Sequence, residues 1–174
     1  MFKKIILIVV SFAMSISAVS SQMNSTVQVI KINTLNQTLA KQFPIEKSFQ
    51  GIAATFSNAK VLLDPLEHSI ELQLTATSMN QGEDFSATLI FTGDLQYHSF
   101  SESYIFENLQ LDSFKIENDT FANSAPLIKS IKQSLINDFD DLVLIRIDDL
   151  DSFIPRHPAA NIKIYTGQLK LIWK

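Results

Sequence analysis

The sequence predicts an α+β domain, and two observations lead to this prediction. Apolar and polar residues alternate across much of the stretch from Gln50 to Ile116, which is typical of half-buried strands. Stretches with apolar residues three or four apart lie on either side of it, which indicates one face of a helix. The predicted strands follow one another through short loops, which favours an antiparallel meander.

The N-terminal residues 1–20 predict a signal peptide. Two lysines precede the apolar run Ile5–Met14, and mostly small residues follow it, as in a positive n-region, an h-region and a cleavage site. The run is short for a bilayer span. We therefore expect export, a periplasmic location and a single domain over residues 21–174. Without cleavage, Ile5–Val19 would tether the domain to the membrane.

The composition narrows the chemistry. The 174 residues carry a formal charge of −4 and include no cysteine, 13 phenylalanines and four glycines. Without cysteine there is no disulfide, thiolate metal site, cysteine nucleophile or lipid-modified cysteine. An acidic chain without a basic stripe is a poor candidate for nucleic-acid binding. The many aromatic rings favour a packed interior or an apolar cavity over a loop-built active site.

A short helix is predicted near the N-terminus of the domain. Leu35, Leu39 and Phe43 lie at helical spacing, and Thr34 suits the N-cap because its hydroxyl can accept from the first turn. A proline follows Phe43 and is expected to end the helix there. The preceding residues, 21–33, become β-branched and indicate a lead-in segment or a short strand.

The meander is predicted from alternation and turn signals. Asp64-Pro65 and the triplet at 80–82 are typical of turns. The parity of the apolar residues slips after Phe106 and again after Leu111, which indicates β-bulges. The expected strands lie at 55–63, 70–76, 85–92 and 104–116.

A second, longer helix is predicted over 124–142. Ser124 suits its cap and Pro126 its first turn, and the apolar residues from Leu127 onward form one face. At ~1.5 Å per residue this helix would be roughly 28 Å long, enough to cross a sheet. The remaining elements are expected to be a strand at 143–147, a polar loop at 148–158 and a terminal hairpin at 162–164 and 169–173, with its turn at 166–168.

No sequence motif indicates catalysis. His68, His98 and His157 have no partner at metal-ligand spacing, and no nucleophile elbow or phosphate-binding loop is present. We therefore expect solvated or structural histidines, no enzymatic activity, no cofactor and no metal. A spatially assembled Ser/His/Asp set stays an alternative, because such sets need no shared sequence position.

An acidic cluster closes the second helix and follows the next strand. Carboxylates at a helix C-terminus oppose its macrodipole, so Arg146, a lysine or a calcium ion could compensate them. A solvated acidic surface is the favoured interpretation. The cluster comprises Asp138, Asp140, Asp141, Asp148, Asp149 and Asp151.

Four segments carry a resemblance to a known family. They are Ile32–Lys41 with its Asn-Gln-x-Leu pattern, the meander of 50–116, the helix Pro126–Phe139 and the terminal Asn161–Leu171 with x-Gly-x-Leu-x-Leu. In this order they resemble the YceB-like family of small bacterial envelope lipoproteins. The chain departs from that family in having no lipobox cysteine.

The resemblance implies a strongly curved antiparallel sheet wrapped around the long helix of the C-terminal half, with the short N-terminal helix nearby. This arrangement is similar to one module of the tubular lipid-binding (TULIP) superfamily, whose groove between sheet and helix holds acyl chains. The leading hypothesis is therefore an envelope protein that binds a lipid or another apolar small molecule and allows transient membrane contact. Its oligomeric state stays open.

Residues on both sides of the expected groove are the candidate ligand-binding positions. Because apolar stripes usually form core, a filled interior is the alternative, and the chain would then be a protein-interaction or envelope-assembly module. Its sign would be an exposed apolar patch or a free strand edge around 160–173. A third hypothesis is a hydrolase or calcium-dependent enzyme using the acidic cluster. The candidate ligand-binding residues are Leu35, Leu39, Leu72, Leu74, Leu89, Phe91, Phe106, Ile128, Ile131, Leu135 and Phe139.

Overall fold

The computed structural model describes residues 25–49, 51–139, 142–150 and 153–174. The predicted signal peptide lies outside these ranges. The described strands form two antiparallel sheets: sheet A has the order β1-β9-β8, and sheet B has the order β2-β3-β4-β5-β6-β7. The elements in chain order are β1 (Thr26–Lys31), α1 (Ile32–Ala40), β2 (Ile45–Phe49), β3 (Ile52–Asp64), β4 (Ser69–Asn80), β5 (Glu83–His98), β6 (Ser103–Asp119), α2 (Ala125–Asp138), β7 (Leu142–Arg146), a 3-10 turn (Ile147–Asp149), β8 (Asn161–Tyr165) and β9 (Gln168–Trp173).

The predicted α+β class, with a strongly curved sheet around a long helix, is wrong. The described chain is mostly antiparallel sheet, sheet B is not strongly curled, and the two helices have 9 and 14 residues. At ~1.5 Å per residue α2 is about 21 Å long, whereas β5 and β6 run roughly 50 Å at ~3.3 Å per residue. A helix this short cannot fill a groove of that length.

The second helix ends at Asp138, four residues before the predicted end. Its last turn carries an aspartate and no basic residue, so its charge opposes the macrodipole. Leu142, expected to close the helix, begins β7 instead. The apolar spacing alone could not show this boundary, because Leu142 continues the helical pattern into the strand.

The first helix also differs from its prediction. It begins at Ile32, with Lys31 at the N-cap and no side-chain cap, so the predicted cap at Thr34 is wrong. The following β2 was not predicted, because its five residues lie between a proline and the glycine turn and carry two charges.

The meander, its bulges and the terminal hairpin are confirmed. Strands β3 to β6 pair consecutively and antiparallel. The β5–β6 register shifts opposite the two parity slips, between Thr92 and Asp94 and between Ile90 and Phe91, and once more near Ala87. Strands β8 and β9 form the predicted hairpin.

One face of sheet B is apolar, and several elements cover it. Side chains at alternate positions of β4 and β5 are buried, while their neighbours face outward. Helix α1 contacts β3 and β7, α2 contacts β6 and β2, and β9 contributes Leu169, Leu171 and Trp173 to the same core. The interior is thus filled by short elements that approach sheet B from different sides.

Two side-chain amides attach α1 and the residues after it to separate strands of sheet B. The Val61 N–H in β3 donates to Asn36 Oδ1 at 2.7 Å. The Gln42 amide makes two bonds to Val143 in β7: its Nε2 donates to the carbonyl oxygen at 2.7 Å, and its Oε1 accepts from the N–H at 3.0 Å. Gln42 therefore satisfies strand-edge groups that another strand would otherwise pair.

We expect Gln42→Ala to lower the free energy of unfolding by about 1–2 kcal/mol, because both half-buried groups of Val143 lose their partner. Urea unfolding followed by circular dichroism measures this change. Gln37→Ala, at an exposed position on α1, is the control and should stay within about 0.5 kcal/mol of the parent. Equal effects of the two substitutions would contradict a bridging role for Gln42.

Candidate functional site

The predicted ligand-binding residues lie in the hydrophobic core. From α1, Leu35 and Leu39 are fully buried, and Ile128 of α2 is half-buried against the same core. The side chain of Leu135 lies outside the described residues. The others are all buried in this core: Leu72, Leu74, Leu89, Phe91, Phe106, Ile131 and Phe139.

Aromatic rings pack against one another at the C-terminal end of α2, on the side where the groove between this helix and sheet B was expected. The ring of Phe139, directly after α2, lies 5.2 Å from the ring of Phe56 in β3, edge to face. The same ring stacks on Phe43 at 6.2 Å. Such aromatic pairs add stability beyond the area that they bury. The candidate residues are therefore neighbours of one another, as predicted, but they contact protein atoms.

Pockets lined by described residues lie elsewhere. One of about 440 Å³ lies at the start of β3, the end of β4 and the start of β5, and it includes Thr55, Thr77 and Ser86. Another, of about 620 Å³, lies at the start of α2 around Pro126 and Lys129. A third, of about 270 Å³, surrounds the start of β4. No candidate ligand-binding residue lines any of these three pockets.

The acidic cluster and the histidines make local contacts. Asp148 is compensated by Arg156 at 2.9 Å, rather than by the predicted Arg146, and Arg156 also pairs with Glu102. His98 pairs with Glu107. Within the described ranges, no three histidine, aspartate or glutamate side chains converge as metal ligands. Of the remaining cluster, Asp140, Asp141 and Asp151 lie outside the described residues.

A second group of carboxylates lies around the β3–β4 turn. Burial is the largest cause that raises the pKa of Glu71 above its ordinary value. The charges of Asp112, Asp64 and Glu67 raise this pKa further. The folded state therefore disfavours the ionised form of Glu71.

Sequence reasoning missed two surface features. The first is the edge of sheet A at β1, where Val27 and Val29 are 48% and 43% exposed. The second is a pair of exposed aromatic residues, Phe100 and Phe153, in loops at one end of sheet B. A phenylalanine inside a polar turn, as in Ser99-Phe100-Ser101, is a sequence signal that could have identified the second feature.

Comparison with known proteins leaves the family open. No protein-family model matches the chain, and no curated protein matches it. The resemblance to the YceB-like family stays a prediction. Neither helix in the described part of the chain has the length and apolar character that a membrane span requires.

A filled core predicts that added volume is not tolerated. Ala87 of β5 is fully buried, so Ala87→Phe should overpack the core and lower the free energy of unfolding by about 1–3 kcal/mol or more. Thr88→Phe places the same ring on the outer face of the same strand and should change stability by about 0.5 kcal/mol or less. Thermal unfolding compares the two variants, and a stable Ala87→Phe protein would indicate an open cavity.

The raised pKa of Glu71 predicts a pH-dependent gain in stability on charge removal. Below the unfolded-state pKa, near 4.5, Glu71 is protonated in both states and imposes no cost. As pH rises through the folded-state pKa, Glu71 must ionise in the folded protein, and this lowers the free energy of unfolding of the parent. The Glu71→Gln variant has no such cost and should therefore be more stable than the parent at pH 7. The difference should disappear below about pH 4. Urea unfolding across this range tests it, with Glu46→Gln on the exposed part of β2 as a charge-matched control. A difference independent of pH would contradict the account.

Proposed function

We propose that this chain is an exported, non-enzymatic interaction module whose sheet A accepts an extended, uncharged segment of a protein partner along the edge of β1. The N-terminal signal pattern supports export. The observation that supports the interaction is the unprotected edge that β1 presents.

The register of β1 against β9 defines the groups on this edge. The Ile32 N–H donates to the Gly167 carbonyl at 2.9 Å, and Lys31 lies opposite Gln168. In an antiparallel pair, hydrogen-bonded and non-hydrogen-bonded positions alternate. The even-numbered residues of β1 therefore pair with β9, and the N–H and C=O groups of Val27, Val29 and Lys31 point away from it.

One side chain of β1 contacts this edge, because Gln28 Nε2 donates to the Val29 carbonyl at 3.4 Å. From Thr26 to Ile30 the strand carries no charge, although edge strands are commonly protected by charges or bulges. Only the start of the outward face is apolar, since Ile172 of β9 lies directly opposite Val27, whereas Lys170 lies opposite Val29. An added strand could pair with the outward backbone groups and cover the exposed valines, as in β-augmentation.

Parts of the edges of sheet B, by contrast, are protected. The free part of β6, residues 107–119, carries four acidic side chains and three register irregularities, which discourage pairing. Asn36 binds the edge of β3 at Val61, and Gln42 binds the edge of β7 at Val143. The contrast favours β1 as the strand that receives a partner.

The lipid-groove hypothesis requires the core to open. A lipid at the predicted position would have to displace side chains that are buried against each other, including Leu35, Leu39 and Phe139. Packed interiors resist such displacement because each buried side chain makes many contacts. The filled interior thus supports the interaction module over the ligand carrier.

Strand addition predicts that Val29→Pro prevents partner binding without unfolding the protein. The Val29 N–H points away from β9, so proline removes a donor from the edge and leaves the β1–β9 bonds intact. The full chain, with a photo-crosslinking residue in place of Val27, is expressed in cells whose envelope contains the partner. Irradiation should give a discrete protein adduct. Its yield should fall roughly tenfold in Val29→Pro, as expected for the loss of about 1.4 kcal/mol.

The matched control is Val29→Thr, which keeps the N–H and the β-branched shape and should retain the adduct. Circular dichroism establishes that both variants are folded. An adduct of equal yield in Val29→Pro, or adducts with lipid alone, would contradict strand addition at β1.

A further inference from the structure

The β5–β6 turn and the loop after β7, at one end of sheet B, each carry a large aromatic side chain that the core does not use. Phe100, in the β5–β6 turn, is fully exposed, and Phe153, in the loop after β7, is 91% exposed. We call this region the hairpin end, formed by the turn 99–102 and the described residues of 147–160. Exposed aromatic residues grouped at one place on a surface mark interaction sites.

Contacts between the two loops place these aromatic residues at the same end. The Ile147 N–H donates to the Glu102 carbonyl at 3.0 Å, and Arg156 pairs with the Glu102 carboxylate. The residues before and after Phe153 in its loop therefore both contact Glu102. Phe100 lies two residues before that same glutamate.

The hairpin end projects beyond its neighbours. Ile70, near the β3–β4 turn, lies opposite Gly93, and β5 continues for another five residues to His98. This extension is about 16 Å long at ~3.3 Å per residue. A flat surface approached from this side would meet Phe100 before it met the β3–β4 turn.

The N-terminal apolar run is attached at the same end. Trp173 Nε1 donates to the carbonyl of His157, one residue after Arg156, at 2.8 Å, and Thr26 lies opposite Trp173 in sheet A. Ser25, the first described residue, is thus close to the hairpin end. Six peptide units join it to Val19, the last residue of the segment Ile5–Val19 that would tether an uncleaved chain, a span of at most about 22 Å.

We propose that the hairpin end docks on a lipid bilayer, with Phe100 and Phe153 inserted at the level of the headgroups. Phenylalanine is among the apolar residues that interfacial segments bury at the boundary of headgroups and acyl chains. The proposal applies to the uncleaved chain: the membrane that would then hold Ile5–Val19 lies within reach of both residues, which favours a bilayer over a second copy or a protein pocket. The proposal does not depend on strand addition at β1.

The charges at this end predict the class of lipid. Arg156 pairs with Glu102 and Asp148, and with Asp149 the carboxylates of this end outnumber Arg146 and Arg156. Without an excess of positive charge, attraction to anionic lipid is absent from the driving force. Docking should occur on zwitterionic phosphatidylcholine and should be insensitive to ionic strength.

The test uses the full chain reconstituted with phosphatidylcholine vesicles whose acyl chains carry bromine, which quenches nearby indoles. The Phe100→Trp variant should lose emission in these vesicles relative to unbrominated ones. Met79→Trp is the matched control, because Met79 is 75% exposed near the turn at the opposite end of β4 and should not be quenched. The emission of the wild-type chain, whose one tryptophan is the buried Trp173, is measured as the background in both vesicle types. Adding Phe153→Ser to Phe100→Trp should reduce the quenching, because the two aromatic residues dock together.

Several results would overturn the proposal. Equal emission of Phe100→Trp in both vesicle types, with the chain bound to them, would show that the N-terminal run alone holds the protein. A blue shift that grows with protein concentration without vesicles would identify a self-association surface. Quenching of Phe100→Trp that disappears at high ionic strength would show attraction by charge rather than aromatic insertion.

Discussion

The structure depends on covering one apolar face of sheet B. Strands β4 and β5 bury alternate side chains over most of their lengths, and this face is longer than either helix can cover. Helices α1 and α2 and the central strand of sheet A each cover a part, and their apolar side chains join a single cluster. Because several short elements meet there, each must be held in position, and the amides of Asn36 and Gln42 do this for α1.

Because the described interior side chains pack against one another, the functional features that we propose lie on the surface. Apolar side chains of the interior contact one another, whereas β1 has an outer edge that no described strand pairs, and the hairpin end exposes two aromatic rings. Both features lie near Ser25, where the N-terminal segment joins the described fold. The chain would then present its partner-binding edge close to a membrane, which suits a protein that works in the cell envelope.

The local elements could be predicted from sequence better than their assembly. Alternation identified β4, β5 and the terminal hairpin, and the parity slips in β6 located two bulges, because period and burial are set by neighbouring residues. The boundary of α2 could not be predicted, since Leu142 continues the helical spacing although it belongs to β7. A stripe of leucines and phenylalanines has the same sequence pattern whether it contacts a ligand or another element. The contacts of Phe139 with Phe43 and Phe56 are tertiary and could not be predicted from that pattern.

The most direct test of the filled core is native mass spectrometry of the protein purified from an envelope fraction without detergent. The account predicts the mass of the chain alone, with no uptake of lipid into the fold after incubation with liposomes and re-isolation. Discrete adducts that resolve into phospholipid or fatty acid on extraction, and that persist in a chain carrying Phe100→Ser and Phe153→Ser, would contradict it. Such adducts would place a ligand between α2 and sheet B.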